Sequence, residues 1–194
     1  MKTSAAAGPV VALAWAMIAT AAGLAFPLTW GPADTIAAEK TSGSPGRADL
    51  ARALKGTHMS LAEGFAAAQR EGTPISGKYE LEEGKLQLSV YTLKDGRFSE
   101  VIVDYATGAL ARVEPIEGQN ARSAHAREQR DAMAKARRSL QAVATDAVAA
   151  NPGFTVVSVM PSLGDGRPIA AVTLVRDDEW KLLRDSLDEE DDDD

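Results

Sequence analysis

ISGKYELEEGKLQLSVYTLKDGRFSEVIVDYATG (residues 75–108) decides the fold. Ile75, Gly77, Tyr79 and Leu81 alternate with Ser76, Lys78 and Glu80, the period of two that marks a strand with one apolar face. Glu83-Gly84 is a hairpin turn, and Leu86, Leu88 and Val90 then alternate with Lys85, Gln87 and Ser89. Lys94-Asp95-Gly96 is a second turn signal. A third strand runs from Phe98 to Tyr105. Ala106-Thr107-Gly108 reverses the chain, and Leu110 to Val113 can begin a short fourth strand.

Upstream, Ser60-Leu-Ala-Glu63 has the form of a capping box, in which a serine hydroxyl and a glutamate three residues on each satisfy the other's backbone amide. It predicts a helix to about Glu71, stopped by Gly72 and Pro74. Residues 47–55 can form an earlier short helix on Leu50, Ala51 and Leu54. Downstream, Met133, Ala136, Leu140, Val143 and Ala147 recur at helical spacing. They predict one long helix over about 121–150, ended by Asn151-Pro152-Gly153. Strands over 154–160 and 169–175 follow, with a turn at Gly164-Asp165-Gly166. Trp180, Leu182, Leu183 and Leu187 close the fold.

The second half echoes the first. Ser139-Leu140 stands 79 positions after Ser60-Leu61, whereas Asp165-Gly166 and Asp177 stand 82 after Glu83-Gly84 and Asp95. A three-residue insertion in the first hairpin would explain the change. The expected fold class is therefore α+β: tandem units, each a helix packed on a small antiparallel sheet.

Residues 60–113 resemble the PepSY family, whose last strand ends in a V-D-x-x-T-G signature. Here it stands as Val103-Asp104-Tyr105-Ala106-Thr107-Gly108. The lead-in Gly77 to Glu82 and the strand Leu86 to Tyr91 fit as well. The second unit lacks the Thr-Gly turn and is a degenerate copy. The resemblance implies a secreted or membrane-associated bacterial protein, with inhibition or regulation of a peptidase as the implied role. Asp104, Thr107 and Gly108 read as a structural motif: an Asp at a strand end accepts from amides two residues on, and Gly suits a positive φ.

Before these units, nothing from Thr3 to Ala33 is charged, and Lys2 precedes an apolar run over 10–30. That order predicts a secretory signal peptide over 1–38, with an uncleaved membrane anchor as the alternative. Residues 39–46 form a flexible leader, 47–116 the first unit, 117–187 the long helix plus the second unit, and 188–194 an acidic disordered tail. The expected location is periplasmic or secreted; the alternative is the inner membrane with the body outside. Membrane contact is expected only if 10–30 stays uncleaved.

Composition excludes several chemistries. The chain of 194 residues has no cysteine, which removes disulfides and thiolate sites. Its net charge is −7, and the seven acidic residues of 188–194 account for all of it. The body is neutral overall, so no nucleic-acid partner is expected. His58 and His125 lie in different segments without ligand spacing, and no nucleophile elbow or phosphate loop is present. Glu80 and Glu82 share a strand face that reads as polar and solvated, unsuited to acid–base work. No enzyme activity, cofactor or metal is expected. The partner is expected to be an unidentified protein or peptide of the cell envelope. An exposed strand edge offers one way to bind it, and the basic residues Arg127, Arg130, Arg137 and Arg138 offer another. The competing functional reading is an accessory or sensor subunit at the inner membrane. The acidic tail either screens that basic segment or collects divalent cations.

Overall fold

The computed structural model describes residues 45–188; the predicted signal peptide or anchor and most of the acidic run lie outside the described residues. Helix α1 (Pro45–Leu54) leads through a loop to α2 (Leu61–Ala68) and a single 3-10 turn. Three strands follow: β1 (Thr73–Glu82), β2 (Lys85–Lys94) and β3 (Arg97–Val103). Then come β4 (Leu110–Ile116), the single-turn α3 (Gly118–Ala121), α4 (Ala124–Lys135) and α5 (Leu140–Ala150). The chain closes with β5 (Thr155–Gly164), β6 (Arg167–Arg176) and β7 (Glu179–Ser186). All seven strands join one antiparallel sheet in the order β4-β3-β2-β1-β5-β6-β7. The fold is α+β.

The sequence cues act as local chemistry. Ser60 and Glu63 form the full capping box, and Ser139 caps α5 by accepting from the Ala142 amide at 3.1 Å. Glu83-Gly84, Asp95-Gly96 and Asp165-Gly166 each place two successive residues at positive φ, the backbone of the tight hairpin turn whose twist matches its strands.

Three expectations need correction. The long helix is two helices, α4 and α5. The break falls at Ala136 to Ser139, because the Arg137 and Arg138 amides donate to the Leu187 carbonyl instead of to the preceding helical turn. Apolar spacing continues across the break, so periodicity did not reveal it. Secondly, the 82-residue offset already holds at the irregularities of β1 (Pro74/Ser76) and β5 (Val156/Ser158). The three extra residues therefore lie ahead of the hairpin, in the helix-to-strand connection: four residues (151–154) lead from α5 to β5, where Gly72 alone separates the 3-10 turn after α2 from β1. Thirdly, the β1 irregularity turns Ile75 to the same side as Ser76, into a second small cluster with Tyr91, Phe98 and Ala126.

Helices α2 and α5 lie on one face of the sheet. Phe65, Leu61, Leu140 and Val143 pack there on Leu88, Val90, Val101, Val159, Val172 and Leu174. Gly77 makes the close approach possible: a Cβ there would sit 2.6 Å from Phe65 Cε1. Helix α4 covers part of the opposite face. Its buried Gln129 accepts from the Ser76 hydroxyl at 3.2 Å and lies within 3.5 Å of Met160 Sδ. That face is not simply solvated. Ser89, Tyr91 and Glu100 are buried on it, and Glu80 accepts from Ser89 at 3.2 Å and pairs with Lys78. The Tyr91 hydroxyl donates to Glu100 at 3.0 Å; burial first, then the Glu100 and Glu80 carboxylates, push its pKa well above the usual range.

Candidate functional site

Three places carry the side chains singled out in the sequence. The first is the turn after β3. The Asp104 carboxylate accepts from the Ala106 and Thr107 amides at 2.9 and 3.1 Å, and those two bonds hold its pKa below the ordinary aspartate value. Thr107 Oγ1 accepts from the Ala109 amide, and Gly108 sits at φ 73° with its amide on the Asp104 carbonyl. A Cβ at Gly108 would meet Met59 Cε at 3.3 Å. The turn thus buttresses the α1–α2 loop, and every polar group of the motif named here is engaged locally.

Beside that loop is a cleft of about 330 Å³, between the α1–α2 loop, α5 and the start of β5. Leu61, Val148, Phe154 and Val156 give it apolar walls, and His58 and Thr145 line it as polar groups. The loop is fixed from below: the Tyr79 hydroxyl donates to the Met59 carbonyl at 2.7 Å, and desolvation pushes the Tyr79 pKa up to about 12. Phe154 lies under two cations, with Arg176 4.4 Å and Lys181 4.1 Å from its ring centroid. His58 and Ser60 both line the cleft, the combination closest to a nucleophile and base. Ser60 Oγ, however, donates to Glu63 Oε2 at 2.8 Å and accepts from the Glu63 amide, so the capping box holds it. Its chemistry is that of a helix cap.

The four arginines fall into two groups. Arg127 is exposed on α4, and Arg130 on the same helix pairs with Asp131 at 2.7 Å. Arg137 and Arg138 sit in the α4–α5 joint. The Arg138 side chain is only 12% exposed and clamps Asp146, Asp185 and the Ser186 carbonyl. Removing it would leave two carboxylates without their partner, so its role is internal. His125 lies 3.0 Å from Gln129 Nε2, on the helix that covers the sheet. Among the described residues no group of three His, Cys, Asp or Glu is placed to hold a metal ion. No described helix is long and apolar enough to cross a membrane.

Sequence reading left the sheet edges unassigned. They are β4 and β7. The β3–β4 register shifts between Ile102 and Val103, and β4 carries Pro115, both of which disfavour further pairing. β7 contains no proline and pairs with β6 without irregularity from Ile169↔Ser186 to Arg176↔Glu179. Its Leu182 is 59% exposed, more than either other exposed large apolar side chain, Val113 or Val148. The signal in the sequence was the break in alternation at Leu182-Leu183, which forces one of the pair outward.

No family model and no curated protein matches the chain. Among solved structures it is similar to a candidate lipoprotein of Clostridium difficile 630, at 12% identity and a TM-score of 0.37 over 64% of this chain and 82% of that one.

Proposed function

We propose that this chain is an exported, non-enzymatic binding module of the bacterial cell envelope, built from two PepSY-like units, that takes an extended segment of a partner polypeptide as an added strand on β7. The observation that carries the binding mode is β7 itself: a regular edge strand, unbroken in register, with Leu182 exposed beside charged Lys181 and Arg184. Strand addition supplies affinity through main-chain hydrogen bonds and selectivity through alternate side chains. Leu182 offers the apolar contact. The charged neighbours discourage indiscriminate pairing of edges.

Export rests on the uncharged apolar run 10–30 behind Lys2. The tandem reading rests on the Val103 to Gly108 signature and on the second hairpin, which repeats the turns and strand irregularity of the first 82 residues later. Regulation of a peptidase follows from the family resemblance alone. The non-enzymatic part rests on the sequence motifs and on the engagement of Ser60 within its cap.

A photo-crosslinking amino acid at position 182, expressed in the native envelope, tests the binding mode against the same probe at position 113 on β4. Covalent adducts with an envelope protein should form from 182 and not from 113. Equal labelling from both positions, or none from 182, would remove strand addition from the proposal.

A further inference from the structure

We propose that the segment β7 accepts is acidic: an extended, antiparallel strand whose core reads acidic–apolar–apolar–acidic, laid against Lys181-Leu182-Leu183-Arg184. This rests on the strand-addition reading above and names the partner's chemistry.

The register fixes which backbone groups of β7 are on offer. The Leu187 amide donates to the Pro168 carbonyl at 2.9 Å, one step beyond the pair Ile169↔Ser186. Bonded and non-bonded pairs alternate along an antiparallel ladder. Glu179, Lys181, Leu183 and Asp185 therefore turn their amides and carbonyls to β6, as the two-residue turn closed by Arg176↔Glu179 also requires. Trp180, Leu182, Arg184 and Ser186 turn theirs outward. An incoming strand bonds at those positions, and the residue opposite Leu182 exchanges two bonds with it.

Side chains set the pattern. Residues directly opposite one another share a face. Lys181 and Leu183 stand opposite Leu174 and Val172, on the face that carries α2 and α5; Leu182 and Arg184 lie on the other face. The two leucines thus offer the incoming strand one apolar neighbour on each face, exposed Leu182 and half-buried Leu183.

A cation stands on either side of them, and the acids of β7 are already neutralised. Glu179 accepts from Arg176 at 2.8 Å, and Asp185 accepts from Arg138 at 3.2 Å. Lys181 and Arg184 have no carboxylate partner among the described residues. Lys181 rests over the Phe154 ring and donates to Asn151 Oδ1 at 3.4 Å, contacts that leave its charge in place, and Arg184 is exposed. Carboxylates opposite Lys181 and Arg184 would complete two cross-strand ion pairs, whereas lysines there would meet like charge.

Synthetic peptides read charge and backbone separately. The probe is acetylated Thr-Thr-Glu-Val-Val-Glu-Thr-Thr amide carrying a neutral dye, titrated with the full chain at about 0.05 M salt and followed by fluorescence anisotropy. It should bind about tenfold tighter than the same peptide with lysines for its glutamates, and the ratio should fall below about threefold at about 0.5 M. Arg184→Glu, at an exposed side chain, should erase the preference, and adding Lys181→Glu should invert it. N-methylation of the second valine, which stands opposite Leu182, should abolish binding. Methylation of the first valine, whose amide points away from β7, should be tolerated. Equal affinity for the two peptides, with the methylation pattern intact, would leave strand addition standing and overturn the acidic partner. Acidic-peptide binding that ignores both methyl groups would reduce the attraction to charge without strand pairing. Binding of neither peptide would remove strand addition as well, and a chain that also sediments as a dimer would assign the edge to a second copy.

Discussion

Asp104 shows how far a single residue can be read. Its position before Thr107-Gly108 in the sequence implied a carboxylate closing a turn, and the two amide bonds at 2.9 and 3.1 Å are that closure. Because those bonds stabilise the ionised form, the folded-state pKa lies below the unfolded value near 3.8. The stability they contribute is present above that unfolded value and is lost as pH falls through the folded one. Asp104→Ala should lower the melting temperature by a few degrees at pH 7, with the deficit shrinking below about pH 4, where the wild-type carboxylate protonates. Thermal melts across that range check it; a deficit independent of pH would mean that the turn is held by something other than the charge. Other residues were not legible one at a time. Gly77 looked like one member of an alternating strand, yet its role is to let the Phe65 ring approach the sheet. Arg138 looked like a surface cation and is instead a clamp between α5 and the end of β7.

At the scale of elements, caps and turns carried most of the information. Ser60 and Ser139 occupy equivalent positions, but only α2 has a glutamate at the third helical position to return the bond; α5 has Ala142 there. Ser60→Ala should cost about 1 kcal/mol, because it removes both the amide cap and the hydroxyl's bond to the Glu63 carboxylate, while the Ser60 backbone amide keeps its own bond to Glu63. Ser139→Ala should cost less, near the lower end of the range of about 0.5–2 kcal/mol for cap removal. Denaturant midpoints of the two variants give the comparison, and equal losses would show that the bond from the Ser60 hydroxyl to the Glu63 carboxylate adds nothing. The α4–α5 break was missed because the stop signal lies elsewhere in the chain. Two amides that would continue the helix donate to Leu187, about fifty residues away in sequence, and no local pattern encodes that.

For the whole molecule, two units were expected from the repeat, and the described body is one compact unit. The seam between the halves pairs only Gly77↔Val159 and Lys78↔Ser158, but residues of α2 and α5 share one core, and α4 packs across β1, β5 and β6. Residues 47–116 expressed alone should lack a cooperative melt, while 45–188 should unfold in a single transition by fluorescence and by circular dichroism. A sharp transition in the isolated half would show that the units are independent domains. By itself the sequence determined the strands, tight turns, helix caps, absence of thiol chemistry and the concentration of charge in 188–194, because each depends on periodicity or on neighbours within a few residues. Only the tertiary structure decided that the halves join through β1 and β5, that β4 and β7 are the edges, that the long helix breaks, and that the Leu187 carbonyl takes the Arg137 and Arg138 amides at that break. Those features arise from backbone pairing and burial between residues far apart in the chain, where nearest-neighbour chemistry carries no signal.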